Sequence, residues 1–145
     1  IRDRREAVKA VQELKNLRVF SSLFAFTPVR GTLMENHPRP PPESYRKIQL
    51  AHYLITEGIG SFEDMRFEVG GTLTSYGVDP KTLDKVVMSG VPFLTRGCPG
   101  CNRPYYNETT LGPIYNYPRQ PTESEISEIK KMLEPYIKLS SRKNP

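Results

Sequence analysis

Three short runs rich in β-forming residues, 19–26 (VFSSLFAF), 65–69 (MRFEV) and 91–96 (VPFLTR), are separated by amphipathic helical stretches, and this alternation most constrains the fold. Residues 1–17 place Ala7, Val8, Val11 and Leu14 on one helical face. Ser44 starts a second helix, with Tyr45, Ile48, Ala51 and Ile55 on one face, that ends at Gly58. A third helix runs from Asp79-Pro80, an N-cap followed by proline at the first helical position, to Gly90. Thr122 and Glu125 form a capping box for a last helix carrying Ile126, Ile129, Met132 and Leu133. Crossovers of this length suit parallel pairing, so the fold class expected is α/β with three parallel strands. Three strands cannot close a barrel of about eight, and an open three-stranded sheet leaves both edges bare. The expectation is therefore one part of a larger unit.

Composition narrows the function classes. The chain has 145 residues, a net charge of +5 and no apolar run of the roughly 18 residues that cross a membrane. Lysine and arginine are scattered without a run of five, which disfavours nucleic acid as a partner. The start is charged and helix-patterned, with no apolar signal core, so the default expectation is a cytoplasmic protein whose first residue is an internal cut.

Residues with chemical potential follow the three strands: Thr27, Pro28, Gly31 and Thr32 after the first, Gly70 and Gly71 after the second, Cys98 and Cys101 after the third. In parallel α/β folds ligands bind at the carboxyl ends of strands, so these loops are expected to converge. Cys98-Pro99-Gly100-Cys101 is the sharpest signal, because a C-x-x-C turn brings two thiolates to one metal or cluster iron. The two cysteines alone are half a site. His37 and His52 lie far from zinc-module spacing, with His52 expected on the polar side of its helix and His37 on a solvated proline loop. Asn102-Arg103-Pro104 after the pair discourages the helix that a redox dithiol needs. Arg66 and Glu68 alternate with apolar residues in the second strand, as on an inward polar face or on a solvated edge. Tyr105, Tyr106, Tyr115 and Tyr117 lie among prolines in 97–121 and are expected to pack the tail.

The strings FAFTPVRGTLME, SYRKIQLAHYLI, MRFEVGG and SGVPFLTRGCPGCNRPYYNE, spanning most of residues 5–120, resemble the last three strand-and-helix units of radical S-adenosylmethionine proteins of the biotin synthase and lipoyl synthase kind. CPGCNRPYYNE is most similar to the two-protein lipoyl synthases and biotin synthase-related proteins. The resemblance implies a partial (β/α) TIM-type barrel. Residues 1–97 would be its C-terminal half, and 98–145 a Pro- and Tyr-rich cluster-binding tail with a terminal helix. It implies sulfur insertion into an octanoyl chain. Thr27, Pro28, Gly31, Thr32, Gly70 and Gly71 would lie on the cofactor side, and Arg66, Glu68 and Arg96 in a polar interior. Cys98 and Cys101 would ligate an auxiliary iron–sulfur cluster. The implied partners are an N-terminal barrel half and an acidic lipoyl-carrier domain. The C-x-x-x-C-x-x-C triplet that binds the radical-generating cluster is absent, so this chain is not expected to act alone. In biotin synthase the seventh strand leads to a cluster-holding arginine. Gly71 stands at the corresponding place, which disfavours biotin synthase itself. Two other readings are a stand-alone zinc-binding interaction module and a radical enzyme of different chemistry on the same barrel.

Overall fold

The computed structural model describes residues 4–96 and 112–140. Helices α1 (Arg4–Asn16), α2 (Pro42–Thr56), α3 (Pro80–Ser89) and α4 (Glu123–Ser140) accompany a two-stranded hairpin of β1 (Arg66–Phe67) and β2 (Leu73–Ser75). Among the described residues no helix is long and apolar enough to cross a membrane. Packing runs from α1 onto α2, from α2 onto α4, and from α4 onto α3 and β2. Val8, Val11, Leu50, Leu54, Leu73, Tyr76, Leu83, Phe93, Ile129 and Leu133 form one continuous core.

Local chemistry accounts for the helix ends. The Asp79 side chain accepts from the Thr82 N–H, Pro80 follows it, and Gly90 closes α3 in the left-handed region at φ +70°. Before α4 the Thr122 N–H donates to Glu125 Oε2 at 2.7 Å and the Glu125 N–H donates to Thr122 Oγ1 at 3.3 Å, a reciprocal capping box. Arg119 grips the same carboxylate through two bonds of 2.9 Å. The Arg119 hydrogen bond, joined by the Thr122 bonds, outweighs desolvation and holds the Glu125 carboxyl down at about 2. α2 begins at Pro42, one turn's reach before the expected cap. Ser44 therefore lies inside the first turn, and its hydroxyl accepts from Arg4.

The strands depart from expectation. In place of three parallel strands, the described residues hold one antiparallel hairpin, with Arg66 opposite Ser75 and Phe67 opposite Leu73. Gly70 and Gly71, at φ +107° and +81°, turn the chain straight back. The nearest partner along the sequence thus captures β1 through a short loop, whose closure costs less entropy than a long crossover. Residues 91–93 are a 3-10 turn because Gly90 is left-handed and Pro92 lacks the N–H a central strand needs. Only Leu94 bridges, in parallel, to Tyr117. Residues 19–29 run without regular strand structure, with Val19, Phe20 and Phe24 exposed and Ala25 buried.

α2 is the central helix. Its apolar face reads as a stripe in the sequence, yet Arg46, Lys47, Gln49 and His52 are buried alongside Leu50, Ala51, Leu54 and Ile55. Among the described residues every buried side-chain polar atom has a hydrogen-bond partner, which is what allows a polar helix into a core.

Candidate functional site

Cys98 and Cys101, with Tyr105 and Tyr106, lie outside the described residues, but the chain on either side is described and tightly held. The Thr95 N–H donates to the Tyr117 carbonyl and the Tyr117 N–H to the Phe93 carbonyl, both at 2.8 Å. The segment carrying the C-x-x-C string thus leaves and re-enters at one closed stem.

Each side of the stem has its own anchor. Arg96 pairs with Glu57 at 2.5 Å, donates to Thr56 Oγ1 at 3.0 Å and stacks over Tyr53 at 5.0 Å. Its carbonyl accepts from the Ser22 hydroxyl at 3.0 Å. On the return side Arg46, 4% exposed, donates to the carbonyls of Ile114 and Tyr115 and to Gln49 Oε1, and it lies between the Phe93 and Tyr117 rings. Gln49 donates to the Tyr115 carbonyl at 2.9 Å and to Asn116 Oδ1 at 2.8 Å. The Tyr115 ring meets Tyr45 edge-on at 5.2 Å, and its hydroxyl donates to the Pro40 carbonyl at 2.8 Å. Tyr115 and Tyr117 are buried, as expected of tail packing.

His52 closes the stem's far wall. Its Nε2 lies 2.9 Å from the Ser21 carbonyl and 3.1 Å from the Ser21 hydroxyl. A carbonyl only accepts, so that nitrogen carries the proton and cannot ligate a metal. His52 is expected on the polar side of its helix, and that side is itself buried here, because the helix is covered on more faces than its apolar stripe shows. His37 is exposed, as expected, with its Nδ1 2.9 Å from the Pro38 carbonyl and its ring edge-on to Phe26 at 5.1 Å. Among the described residues no group of three His, Cys, Asp or Glu side chains is arranged to hold a metal ion.

Burial lowers the His52 pKa from the ordinary 6.5; the Ser21 hydrogen bond opposes this and the charge of Arg96 adds to it. The unfolded chain therefore takes up a proton near 6.5 that the folded chain refuses, and stability falls as pH drops below that value. Glu125 acts in a lower window: its contribution is full above 4.5 and is lost as pH falls toward 2. Urea unfolding against pH should show both acid losses, and His52→Gln should flatten the upper one while leaving the lower. An unchanged upper limb in His52→Gln would disprove the assignment.

Of the strand-end loops, the two that are described, 27–32 and 70–71, do not border one depression. Gly31 and Thr32 sit in a loop of exposed turns that bonds to itself. The Gly31 N–H donates to Glu35 Oε2 at 2.7 Å, and Thr32 Oγ1 donates to the Val29 carbonyl at 2.7 Å. A Cβ on Gly31 would meet nothing within 4 Å, so this glycine marks no close approach. Thr27 and Pro28, half-buried, lead into that loop. Gly70 and Gly71 border a separate depression with Arg5, Met65, Phe67, Glu68 and Val69, to which residues 27–32 contribute nothing. Arg66 and Glu68 are exposed, as on a solvated edge. Of the three interior candidates, only Arg96 joins the stem.

Arg46, Gln49 and Asn116 are the residues that sequence reasoning missed. Arg46 and Gln49 are three apart on a helix, which marks a shared face, but their partners are main-chain carbonyls almost 70 residues away, which leave no signature in sequence. Compared with known proteins, the chain matches no family model, no curated protein and no solved structure.

Proposed function

We propose that this chain is the C-terminal part of a radical S-adenosylmethionine sulfur-insertion enzyme of the lipoyl synthase kind, in which Cys98 and Cys101 bind an auxiliary iron–sulfur cluster. The observation that carries this reading is the closed stem: a C-x-x-C string begins two residues after an anchored arginine, in a segment whose two ends are bonded together. A cluster site needs such fixed walls, because thiolates on an unanchored chain lose conformational entropy on binding. The donor set fits half a cluster, and the reading assigns the remaining ligands to a partner polypeptide or segment.

When bound, such a cluster would supply sulfide. The chain's own part would be to supply two thiolates from a segment whose described ends are bonded together, one of them carrying Arg96 held by Glu57. S-adenosylmethionine fits less well, since the Gly31 and Thr32 donors are taken up within their own loop. The missing barrel half, the partner in this proposal, has a surface to cover: Leu17, Val19, Phe20, Phe24, Val29, Leu33 and Met34 are all exposed within eighteen residues. The net charge of +5 suits an acidic lipoyl-carrier domain.

The test is metal and sulfide content after reconstitution with iron and sulfide, for the chain alone and together with a radical enzyme polypeptide that carries the C-x-x-x-C-x-x-C triplet. The mixture should gain a second cluster, and Cys98→Ala with Cys101→Ala should remove that cluster alone. Full iron and sulfide in the double variant would overturn the ligand assignment, as would one tightly held zinc per isolated chain.

A further inference from the structure

A cavity of about 540 Å³ opens between α1, the segment 23–26, the proline loop 37–41 and the first turn of α2. Small-molecule sites run to roughly 300–1,000 Å³ with mostly apolar walls and a few placed polar groups. Leu23, Ala25, Phe26, Tyr45 and Ile48 supply such walls. Three prolines, 38, 40 and 41, stiffen one side, and the Tyr115 hydroxyl bonded to the Pro40 carbonyl pins that side to the body of the protein. The shape is therefore built before a ligand arrives.

Among the described residues, the cavity's polar lining is Arg4 and Arg39 with the neutral groups of His37, Ser44 and Tyr45. Arg4 donates to the Ser44 hydroxyl at 2.7 Å and the Thr72 hydroxyl at 3.4 Å, both neutral; its charge helps to hold the Glu43 carboxyl down, but among the described residues no carboxylate lies within ion-pair distance of it. Arg39 lines the same cavity, and among the described residues no acidic side chain does. Glu43, in the same turn of α2 as Ser44, is taken up by Lys47 at 3.2 Å and by the Tyr136 hydroxyl at 2.8 Å. A guanidinium oriented by two hydroxyls beside an apolar chamber is suited to an anionic head on an apolar body.

We propose that this cavity is a binding site for a small amphiphilic anion, with its apolar part against Leu23, Phe26 and Ile48 and its charged group at Arg4. The site shares Tyr45 and Tyr115 with the packing around the stem but needs neither cysteine nor a metal, so its test stands whatever becomes of the cluster assignment.

Competition against a fluorescent anilinonaphthalene sulfonate probe, with decanoate and decanol as competitors, reads both halves of the site. Decanoate should displace the probe saturably, and about tenfold more tightly than decanol, one charged contact's worth. Arg4→Gln should abolish that preference while leaving decanol unchanged. Ile48→Trp, which fills the chamber, should weaken both about tenfold or more, and Ala7→Phe should do the same from the α1 side if the first variant loses its fold. Equal competition by decanoate and decanol in the unsubstituted chain, or undiminished binding in a folded filling variant, would overturn the proposal.

Discussion

Arg46→Met should cost about 3–5 kcal/mol of stability in urea unfolding, because it leaves buried acceptors without a donor at roughly 1–3 kcal/mol each. Methionine replaces the stem of the side chain but none of its donors. The Ile114 and Tyr115 carbonyls and Gln49 Oε1 lose the guanidinium N–H groups that reach them, and the flanking Phe93 and Tyr117 rings lose a cation. Gln49 still reaches Tyr115 but cannot serve Ile114 as well. The damage should be local before it is global: amide exchange at Thr95 and Tyr117, whose N–H groups close the stem, should rise well before exchange in α3. A loss under about 1 kcal/mol with unchanged exchange would mean that the stem does not depend on Arg46.

Gly77→Ala should be nearly as harmful, at about 2–4 kcal/mol, for a different reason. Gly77 sits at φ +65°, where an L side chain costs roughly 1–2 kcal/mol, and a Cβ there would lie 2.4 Å from the Asp64 carbonyl oxygen. That neighbour is backbone at the end of the 3-10 turn Phe62–Asp64, so it can yield only by moving the turn, which adds overpacking strain of about 1–3 kcal/mol. Gly31→Ala isolates the first cost. Its φ is +83°, but nothing lies within 4 Å of the built Cβ, so it should lose only about 1–2 kcal/mol. Equal losses in the two variants would show that the contact with Asp64 is immaterial. Thermal unfolding of both, at one pH above 7, checks this without interference from His52 or Glu125.

The helices were legible because what makes them is local. Asp79, Pro80 and Gly90 bound α3, and Thr122 with Glu125 starts α4, through bonds between residues at most four apart. The strands were not. Residues 19–26 carry β-forming side chains, but a ladder needs a partner backbone at the right distance, and composition does not say which segment that will be. Gly70-Gly71 marks a strand end in the sequence, but only its positive φ values make it a hairpin turn. The buried faces of α2 were hidden likewise: Arg46, Gln49 and His52 have the composition of a wet surface, and only their bonds to residues 21 and 114–116 make them interior.

The candidate site divides along the same line. By itself the sequence determined the C-x-x-C string, the absence of a second cysteine pair, the two ends of α3 and the start of α4, since each is a matter of residue type and near-neighbour spacing. Only the tertiary structure decided that residues 95 and 117 meet, that Arg96 and Arg46 anchor the two sides, and that Gly31 and Gly70 face different surroundings. Those outcomes depend on contacts between segments 20 to 70 residues apart. Which distant carbonyl a buried guanidinium finds is settled by the packing of α2 against the chain, not by the residues beside it.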